Sequence, residues 1–319
     1  MKKIVIVGAG IAGLTTAYQL IEAGYNVTVV ERDDAVGGLS RTYKDKDFAF
    51  DSGPHRFYTK NPEVINFIKD ILGDDYLSMK MTSSVYLLGQ YYDWPLSMKV
   101  VLKLPFKVMA SAAVDMVGLM FKKPKPVDTY SEHILQKYGK TLYKIDFDPY
   151  TAKFAKVPTN ELHSDWAKAG VNRAVINEKV KMDSLFDVVK NTLFPQKENI
   201  TIIYPNEGIS VFSEVLKKRI EERGGRVLLN TVPTNFECKN KKINQVTLSN
   251  GDIIDNLDHI IWTGSINEVA DLLHLPKKEL EYLNIITYNV KLKGTPKMKD
   301  QWIYYVDDDL IFNRLYNTV

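Results

Sequence analysis

The chain has 319 residues, of which 45% are hydrophobic and 25% are charged, a composition typical of a globular protein with about two domains. Its formal net charge is +3, and no basic stripe with interleaved aromatic residues indicates a nucleic-acid partner. Cys238 is the only cysteine, which excludes an internal disulfide and favours a reducing compartment. Lys2 and Lys3 precede only a short apolar run, unlike a signal peptide, so we expect a cytoplasmic protein.

The first predicted strand leads into a glycine-rich turn. Residues 4–7 (IVIV) are followed by residues 8–13 (GAGIAG), and a helical pattern continues from there. A second apolar run, residues 27–30 (VTVV), ends at Glu31. Strand, glycine turn, helix, strand and acid in this order predict a dinucleotide-binding unit.

Each of these positions has a physical reason. Gly8 lets the chain leave the strand sharply, Gly10 lacks the Cβ that would obstruct a pyrophosphate, and Gly13 permits close packing of the helix. The helix N-terminus offers free N–H groups and the positive end of its dipole to phosphates. Glu31 can accept hydrogen bonds from ribose hydroxyls. The sequence therefore predicts an adenine dinucleotide at this end of the molecule.

A second glycine pair, Gly37 and Gly38, follows Glu31 closely, and Arg41 comes soon after it. A nicotinamide-dinucleotide domain normally continues with a helix here and needs no such pair. Two glycines and an arginine suit a loop that folds back over the same pyrophosphate, with the guanidinium as a fixed positive fork. This pattern favours FAD over NAD as the cofactor.

With Gly37-Gly38 and the later loop of residues 51–55 (DSGPH), the chain resembles the FAD-dependent flavin amine oxidases and protoporphyrinogen oxidases, a superfamily related to UDP-galactopyranose mutase. In the oxidase pattern an arginine follows the glycine pair directly, whereas here Leu39 stands there. The resemblance implies that His55 touches the flavin face as the candidate catalytic residue, and that Val232 meets the adenine through its backbone. The predicted FAD-contacting residues are Gly8, Gly10, Ile11, Ala12, Gly13, Glu31, Arg32, Gly37, Gly38, Leu39, Ser40, Arg41, Gly53, Pro54, His55, Val232 and Thr263.

The predicted architecture is α/β: a Rossmann-like FAD-binding domain, residues 1–80 and 200–280, interleaved with an α+β substrate domain, residues 81–199 and 281–319. Residues 285–290 and 302–306 are predicted strands of the substrate sheet. In the family a further C-terminal stretch ends beside the flavin ring, and none follows here. We therefore expect either a piece of a longer protein or a reduced flavin pocket.

Residues 106–121 (FKVMASAAVDMVGLMF) form a sixteen-residue apolar stretch that contains Lys107 and Asp115, too short and too charged to span a bilayer. Lysines follow it, so it could lie in a membrane interface, and peripheral membrane contact stays open. We favour a buried helix of the substrate domain, and a solvated position for Asp115 over a buried functional acid.

The residues limit the chemistry. No HExxH, CxxC or His-x-His pattern predicts a metal, and no Gly-x-Ser-x-Gly elbow predicts a hydrolase. The leading hypothesis is an FAD-dependent oxidoreductase that moves a hydride from a small organic substrate to flavin N5.

Two alternatives remain. A flavin-dependent UDP-sugar mutase is favoured by residues 53–55 and 91–96, but that chemistry needs several arginines around a diphosphate, and the region that follows Trp166 offers only Arg173. A non-catalytic protein similar to GDP-dissociation inhibitors is disfavoured by the intact glycines and Glu31. The substrate and the oligomeric state are not readable from the sequence.

Overall fold

The computed structural model describes residues 1–94, 102–167, 201–294 and 297–317. Pro95 and Leu96, which end the 91–96 segment that favours a mutase, lie outside these residues, as does Arg173. The chain has mixed helix and strand content and divides into two compact units. The first comprises Met1–Met79 and Thr201–Lys291, and the second comprises Lys80–Ile200 and Leu292–Val319.

The first unit contains an α/β core with a small antiparallel sheet attached. Its elements in chain order are β1 (Lys3–Val7), α1 (Ile11–Glu22), β2 (Asn26–Val30), β3 (Thr42–Asp45), β4 (Phe48–Asp51), α2 (Pro62–Leu72), β5 (Tyr76–Lys80), β8 (Thr201–Pro205), α6 (Ser210–Glu222), β9 (Arg226–Leu228), β10 (Pro233–Lys239), β11 (Lys242–Leu248), β12 (Ile253–Ile254), β13 (His259–Trp262) and α7 (Ile266–Leu272).

A four-stranded parallel sheet, in the order β13-β1-β2-β9, forms the centre of this unit. Ile6 and Val29 on one face pack in a cluster with Leu14 of α1 and Leu216 of α6. The intervening residues of the same strands face the antiparallel sheet β10-β11-β12. Because side chains alternate along a strand, the central strands are buried on both faces and read as continuous apolar runs.

Two smaller pairings complete the first unit. The hairpin β3–β4 pairs Thr42 with Asp51, and β5 pairs with β8. The hairpin therefore ends at a buried carboxylate, directly before the loop of residues 52–55.

The second unit combines helices with a mixed sheet. Its described elements are β6 (Ser83–Leu87), β7 (Gln90–Asp93), α3 (Phe106–Met120), α4 (Tyr130–Leu142), a π-helical turn (Tyr143–Phe147), α5 (Asp148–Ala155), β14 (Trp302–Tyr305) and β15 (Arg314–Tyr316). The sheet order is β15-β14-β6-β7, in which only β14 and β6 run parallel. One face packs on the helices through a cluster that includes Val85, Leu87, Tyr130 and Ile134.

Asp115 has a structural role that the sequence did not reveal. Helix α4 is interrupted at Gly139, whose φ of 82° is non-helical, and a new helical segment begins there. Asp115 Oδ2 of α3 accepts hydrogen bonds from the N–H and the hydroxyl of Thr141, both at 2.6 Å. The carboxylate thus caps the N-terminus of that segment from a neighbouring helix. The prediction of a solvated position was wrong.

Two other sequence predictions are also corrected. Residues 302–305 form a strand as predicted, but residues 285–290 do not, and Ile286 and Tyr288 are exposed. The apolar alternation is present, yet none of the described strands pairs with this segment. The prediction that helix α3 is buried was also wrong, because Ala112 is the only buried residue of this helix. Within the described residues, no helix is both long enough and apolar enough to cross a bilayer.

Candidate functional site

The turn after β1 has room only for glycine at two positions. Gly8 has a φ of +103°, and a Cβ there would lie 2.4 Å from Thr263 Oγ1. A Cβ on Gly13 would lie 1.9 Å from the carbonyl oxygen of Gly8. Any side chain at Gly13 would therefore push α1 away from β1. Both glycines are needed for the fold of the turn.

Gly10 differs from its two neighbours, because a Cβ there would meet only Gly38 Cα, at an ordinary 4.0 Å. Its φ of −70° is open to any residue. Gly10 is the N-cap of α1 and has no side chain that could accept a hydrogen bond from the first backbone N–H groups of the helix. The first turn of α1 also contains no acidic residue. The amides of Ile11 and Ala12 begin this first turn and point out of the helix N-terminus. The bare glycine and the uncapped helix end fit a pyrophosphate.

The second glycine pair packs on the first turn. Gly37 donates its N–H to Ala9 O at 2.9 Å, and Gly37 and Gly10 form a parallel bridge. Gly38 has a φ of +57°, and a Cβ there would lie 3.2 Å from Gly10 Cα. The two glycine segments, 27 positions apart in sequence, thus form one continuous main-chain surface. The structure brings together the two motifs that sequence reasoning assigned to one ligand.

Glu31 connects the end of β2 to this turn. Its Oε2 accepts from Ala9 N at 2.6 Å, and its Oε1 accepts from Asp33 N at 3.0 Å. Each carboxylate oxygen keeps a second lone pair for another donor. Glu31 therefore orients the turn, and a ribose contact stays a prediction.

Arg41 lies beside acidic neighbours. Its guanidinium pairs with Asp34 Oδ1 at 3.1 Å and Asp33 Oδ2 at 3.8 Å, and lies 5.5 Å from the centre of the Tyr43 ring. Because its side chain is only 20% exposed, these contacts fix the guanidinium against the 33–41 loop. Its predicted pyrophosphate contact has to compete with the two aspartates.

The other residues of this loop differ in their surroundings. Arg32 pairs with Glu268 of α7 at 3.3 Å. Leu39 is 87% exposed, and its carbonyl accepts a hydrogen bond from the hydroxyl of Ser52. Ser40 donates its N–H to Gly37 O at 2.9 Å and closes the glycine turn. The loop is thus tied to the chain just before Gly53.

Gly53, Pro54 and His55 form a tight turn in which His55 N donates to Gly53 O at 2.7 Å. A Cβ on Gly53 would lie 3.3 Å from His55 Cε1, so the imidazole lies over the glycine. His55 Nδ1 is buried and has no hydrogen-bond partner. Arg56 donates from Nη1 to His55 O at 2.6 Å and stacks 4.1 Å from the Tyr204 ring centre.

A buried carboxylate that the sequence analysis missed holds the base of this turn. Asp51 is fully buried and accepts from Thr42 Oγ1 at 2.6 Å, Tyr204 OH at 2.8 Å and Ile209 N at 3.2 Å. Ser210 N in turn donates to Thr42 Oγ1 at 3.0 Å. Asp51 therefore joins the hairpin, strand β8 and the N-terminus of α6, where a negative charge is favourable. An acid that ends the run FAF was the available signal.

The predicted adenine-side residues are engaged within the protein. Val232 donates its N–H to Ser249 Oγ at 3.1 Å and accepts from Ser249 N at 2.9 Å. Thr263 donates from Oγ1 to Val7 O at 2.8 Å, and the same hydroxyl occupies the space where a Cβ on Gly8 would lie. A ligand contact at either residue stays a prediction.

The second unit contains an arginine that the sequence analysis also missed. Arg314 of β15 donates from Nη2 to Tyr150 OH at 3.3 Å, and its guanidinium lies 4.9 Å from the Tyr304 ring centre. Its Nε is buried without a hydrogen-bond partner, and no described carboxylate forms an ion pair with it. An arginine surrounded by aromatic rings and lacking a counter-ion can bind an anion.

The same unit contains a buried acid. Asp146 in the π-helical turn is 3% exposed, and its Oδ2 has no hydrogen-bond partner. Burial raises its pKa from 3.8 to about 7. Within the described part of the chain, no three His, Cys, Asp or Glu side chains converge as a metal site would require.

Comparison with known proteins agrees with these motifs. An L-amino-acid oxidase from Crotalus adamanteus is 52% identical over 68 residues, which are 21% of this chain and 13% of that protein. A probable UDP-galactopyranose mutase from Klebsiella pneumoniae is 30% identical over 169 residues, which are 50% of this chain and 43% of the mutase. This chain thus spans less than half the length of these curated relatives.

Among solved structures, that of a reduced UDP-galactopyranose mutase superposes with a TM-score of 0.75 at 20% identity, over 98% of this chain and 69% of the mutase chain. At that identity the likeness shows the fold alone. A family model described as flavin containing amine oxidoreductase matches residues 11–293, most of the chain. The predicted resemblance and the predicted cofactor, FAD, are confirmed. The chain belongs to the family of flavin containing amine oxidoreductases.

Proposed function

We propose that this protein is an FAD-dependent oxidoreductase that takes a hydride from a small organic substrate. One observation supports it most directly: two glycine turns meet in front of an uncapped helix N-terminus. Together with the family, this surface favours a bound dinucleotide over an empty structural turn.

In this proposal the main chain does most of the cofactor binding. The bare surfaces of Gly10 and Gly38 admit the pyrophosphate, and the amides of Ile11 and Ala12 donate to it. Gly8, Gly13 and Gly37 keep the turns close together. This division predicts that a side chain at Gly10 removes binding without removing the fold.

The surrounding polar residues orient the cofactor. Glu31 holds the turn through Ala9 N and accepts a ribose hydroxyl with its remaining lone pair. Val232 meets the adenine through its backbone, and Thr263 closes the space beside Gly8. Arg41 contacts the pyrophosphate with its guanidinium, which has to exchange its contacts with Asp33 and Asp34 for the phosphate. Arg32, Leu39 and Ser40 complete the loop that covers the phosphates.

Bound FAD supplies a ring nitrogen that accepts the hydride. In this proposal His55 lies against the flavin face, and its turn is fixed by the hydrogen bond to Gly53 O and anchored by Asp51. The buried Nδ1 of His55 without a partner is a polar atom that a ligand can satisfy. In this role His55 and Pro54 exclude water and orient the substrate beside the cofactor.

A second candidate function, a flavin-dependent UDP-sugar mutase, gains support from Arg314. The mutase needs positive charge for a diphosphate, and the region that follows Trp166 in the sequence offers only Arg173. Arg314 pairs with no carboxylate among the described residues, lies beside Tyr150 and adds a second arginine. The 30% identity to a probable mutase over half of the chain points the same way.

A single preparation separates the candidates. The purified chain is examined for the visible absorbance of oxidised flavin, then mixed without oxygen with a panel of amines and L-amino acids. Bleaching by a panel member supports the oxidoreductase. No bleaching, together with conversion of UDP-galactopyranose only after dithionite reduction, supports the mutase. A colourless chain that cannot be reconstituted with FAD leaves the non-catalytic alternative.

A further inference from the structure

Helix α3 (Phe106–Met120) presents one apolar face to solvent. Phe106 is 77% exposed, Val114 is 72% exposed and Phe121 is 86% exposed. The exposed side chains on this face recur at helical spacing: Phe106, Ala113, Val114, Val117, Met120 and Phe121. None of them is polar or charged. A continuous apolar stripe of this kind marks an interaction surface.

The opposite face of α3 is used inside the unit. Ala112 is buried in the helical core, and Asp115 caps the segment after Gly139. The only acid of the helix thus points away from the exposed stripe. The orientation of α3 is set by contacts of its inner face, which leaves the apolar stripe outward.

Both ends of the stripe are basic. Lys103 and Lys107 lie at its beginning, and Lys122, Lys123 and Lys125 follow its end. All five are exposed, and none forms an ion pair with a carboxylate of the described residues. A helix of about 22 Å with an apolar face and lysines at its ends matches the chemistry of an anionic lipid surface.

The same charges disfavour a second copy of the chain on this face. A symmetric pair of α3 helices would bring basic ends together in either orientation, because both ends of the stripe carry lysines. An anionic bilayer has the opposite charge and an apolar interior. Charge complementarity therefore selects the membrane.

We propose that α3 docks the protein on anionic membranes, with the Phe106–Phe121 stripe in the acyl boundary and the flanking lysines at the headgroups. This surface is independent of the flavin site. It places the enzyme at a bilayer, a location that neither the family nor the proposed reaction requires.

The test is vesicle flotation of the full 319-residue chain with phosphatidylcholine vesicles, with and without phosphatidylserine. We expect binding only when phosphatidylserine is present, and weakening by salt. Phe121→Ser lowers the partition coefficient by about tenfold or more. Lys122→Gln with Lys123→Gln lowers it by about fivefold for each lysine. Because the substituted side chains are exposed, we expect these variants to keep the fold, and their thermal unfolding is measured to check that reduced vesicle binding does not come from unfolding.

Matched controls lie elsewhere on the surface. Ile311→Ser removes a side chain that is 98% exposed outside α3, and Lys239→Gln with Lys242→Gln removes two lysines of the β10–β11 hairpin. Both controls should bind as the wild type does. Equal binding of the wild type to neutral and anionic vesicles, or unchanged binding of the α3 variants, overturns the proposal.

Two further measurements identify other occupants. A dimer in sedimentation that Val117→Asp converts to a monomer shows a second copy on the stripe. A fluorophore on Val117→Cys, in a Cys238→Ser background, reports iodide access without vesicles. Protection from iodide in the monomer shows that the chain itself covers the stripe. Either result overturns the membrane assignment, whereas free iodide access followed by protection on vesicle addition supports it.

Discussion

Asp146 gives a stability prediction whose sign and size follow from its burial. The carboxyl is 3% exposed, and burial raises its pKa from the ordinary 3.8 to about 7. Between these two values the unfolded chain is ionised at this residue while the folded chain keeps the proton. The folded state therefore binds more protons, and stability falls as the pH rises through this window.

The magnitude follows from the two pKa values. The slope reaches about 1.4 kcal/mol per pH unit in the middle of the window and is smaller near each pKa, so the wild type loses about 3 kcal/mol of unfolding free energy between pH 4 and pH 7 through Asp146. Above pH 7 both states are ionised and the loss stops growing. Asp146→Asn cannot ionise, so the variant lacks this part of the pH dependence.

The assay is urea unfolding followed by tryptophan fluorescence, since Trp94 packs against the same core as Phe147 beside Asp146. We expect the stability of the variant relative to the wild type to rise steadily from pH 4 to pH 7. The exposed Asp47→Asn serves as a control with no such change. Parallel pH profiles for the wild type and Asp146→Asn would refute the reasoning.

Three further predictions concern the site. Asp51→Ala removes the hydrogen bonds that the carboxylate accepts from Thr42, Tyr204 and Ile209 and lowers the unfolding free energy by about 3 kcal/mol in urea titrations; an unchanged midpoint contradicts the anchoring role. His55→Ala keeps FAD bound but shifts its visible spectrum and reduction potential, and a spectrum identical to the wild type argues against contact with the flavin face. Arg314→Met weakens the binding of inorganic pyrophosphate, measured by calorimetry, about tenfold while FAD content stays constant, and unchanged pyrophosphate affinity removes the anion-binding role.

The glycine turns could be predicted from the sequence because their signals are local. Gly8 has a φ of +103°, and a Cβ on Gly13 would meet Gly8 O, so both requirements arise within the turn itself and the strand-turn-helix pattern carries them. The proximity of Gly37 and Gly38 to Gly10 could be predicted because both glycine motifs suit one ligand, the pyrophosphate. The resulting surface does bring these glycines together.

Asp51 could not be found in the same way. Its acceptor role depends on Tyr204, which is 153 positions away in the sequence, and on the N-terminus of α6. Nothing in the run of residues 48–51 specifies those partners. Arg314 is similar, because its significance lies in the absence of a described counter-ion in its surroundings, which a sequence does not show.

The errors at α3 and at residues 285–290 have one physical cause. The apolar periodicity of α3 and of residues 285–290 indicates a local conformation and which side chains prefer burial. It does not indicate which other part of the protein covers those side chains. In α3 the apolar residues surround most of the helix, and only the face with Ala112 meets the core. In residues 285–290 the described strands supply no pairing partner.

The most direct measurement is an FAD titration of the wild type and Gly10→Val, followed by flavin fluorescence quenching. The backbone at Gly10 accepts any residue, and a Cβ there meets only Gly38 Cα at 4.0 Å, so the fold should survive. Gly118→Val, at an exposed glycine with open space around it, is the matched control. We expect the wild type and the control to bind FAD, and Gly10→Val to unfold at the same temperature but to bind none. Equally tight FAD binding by a folded Gly10→Val would contradict it.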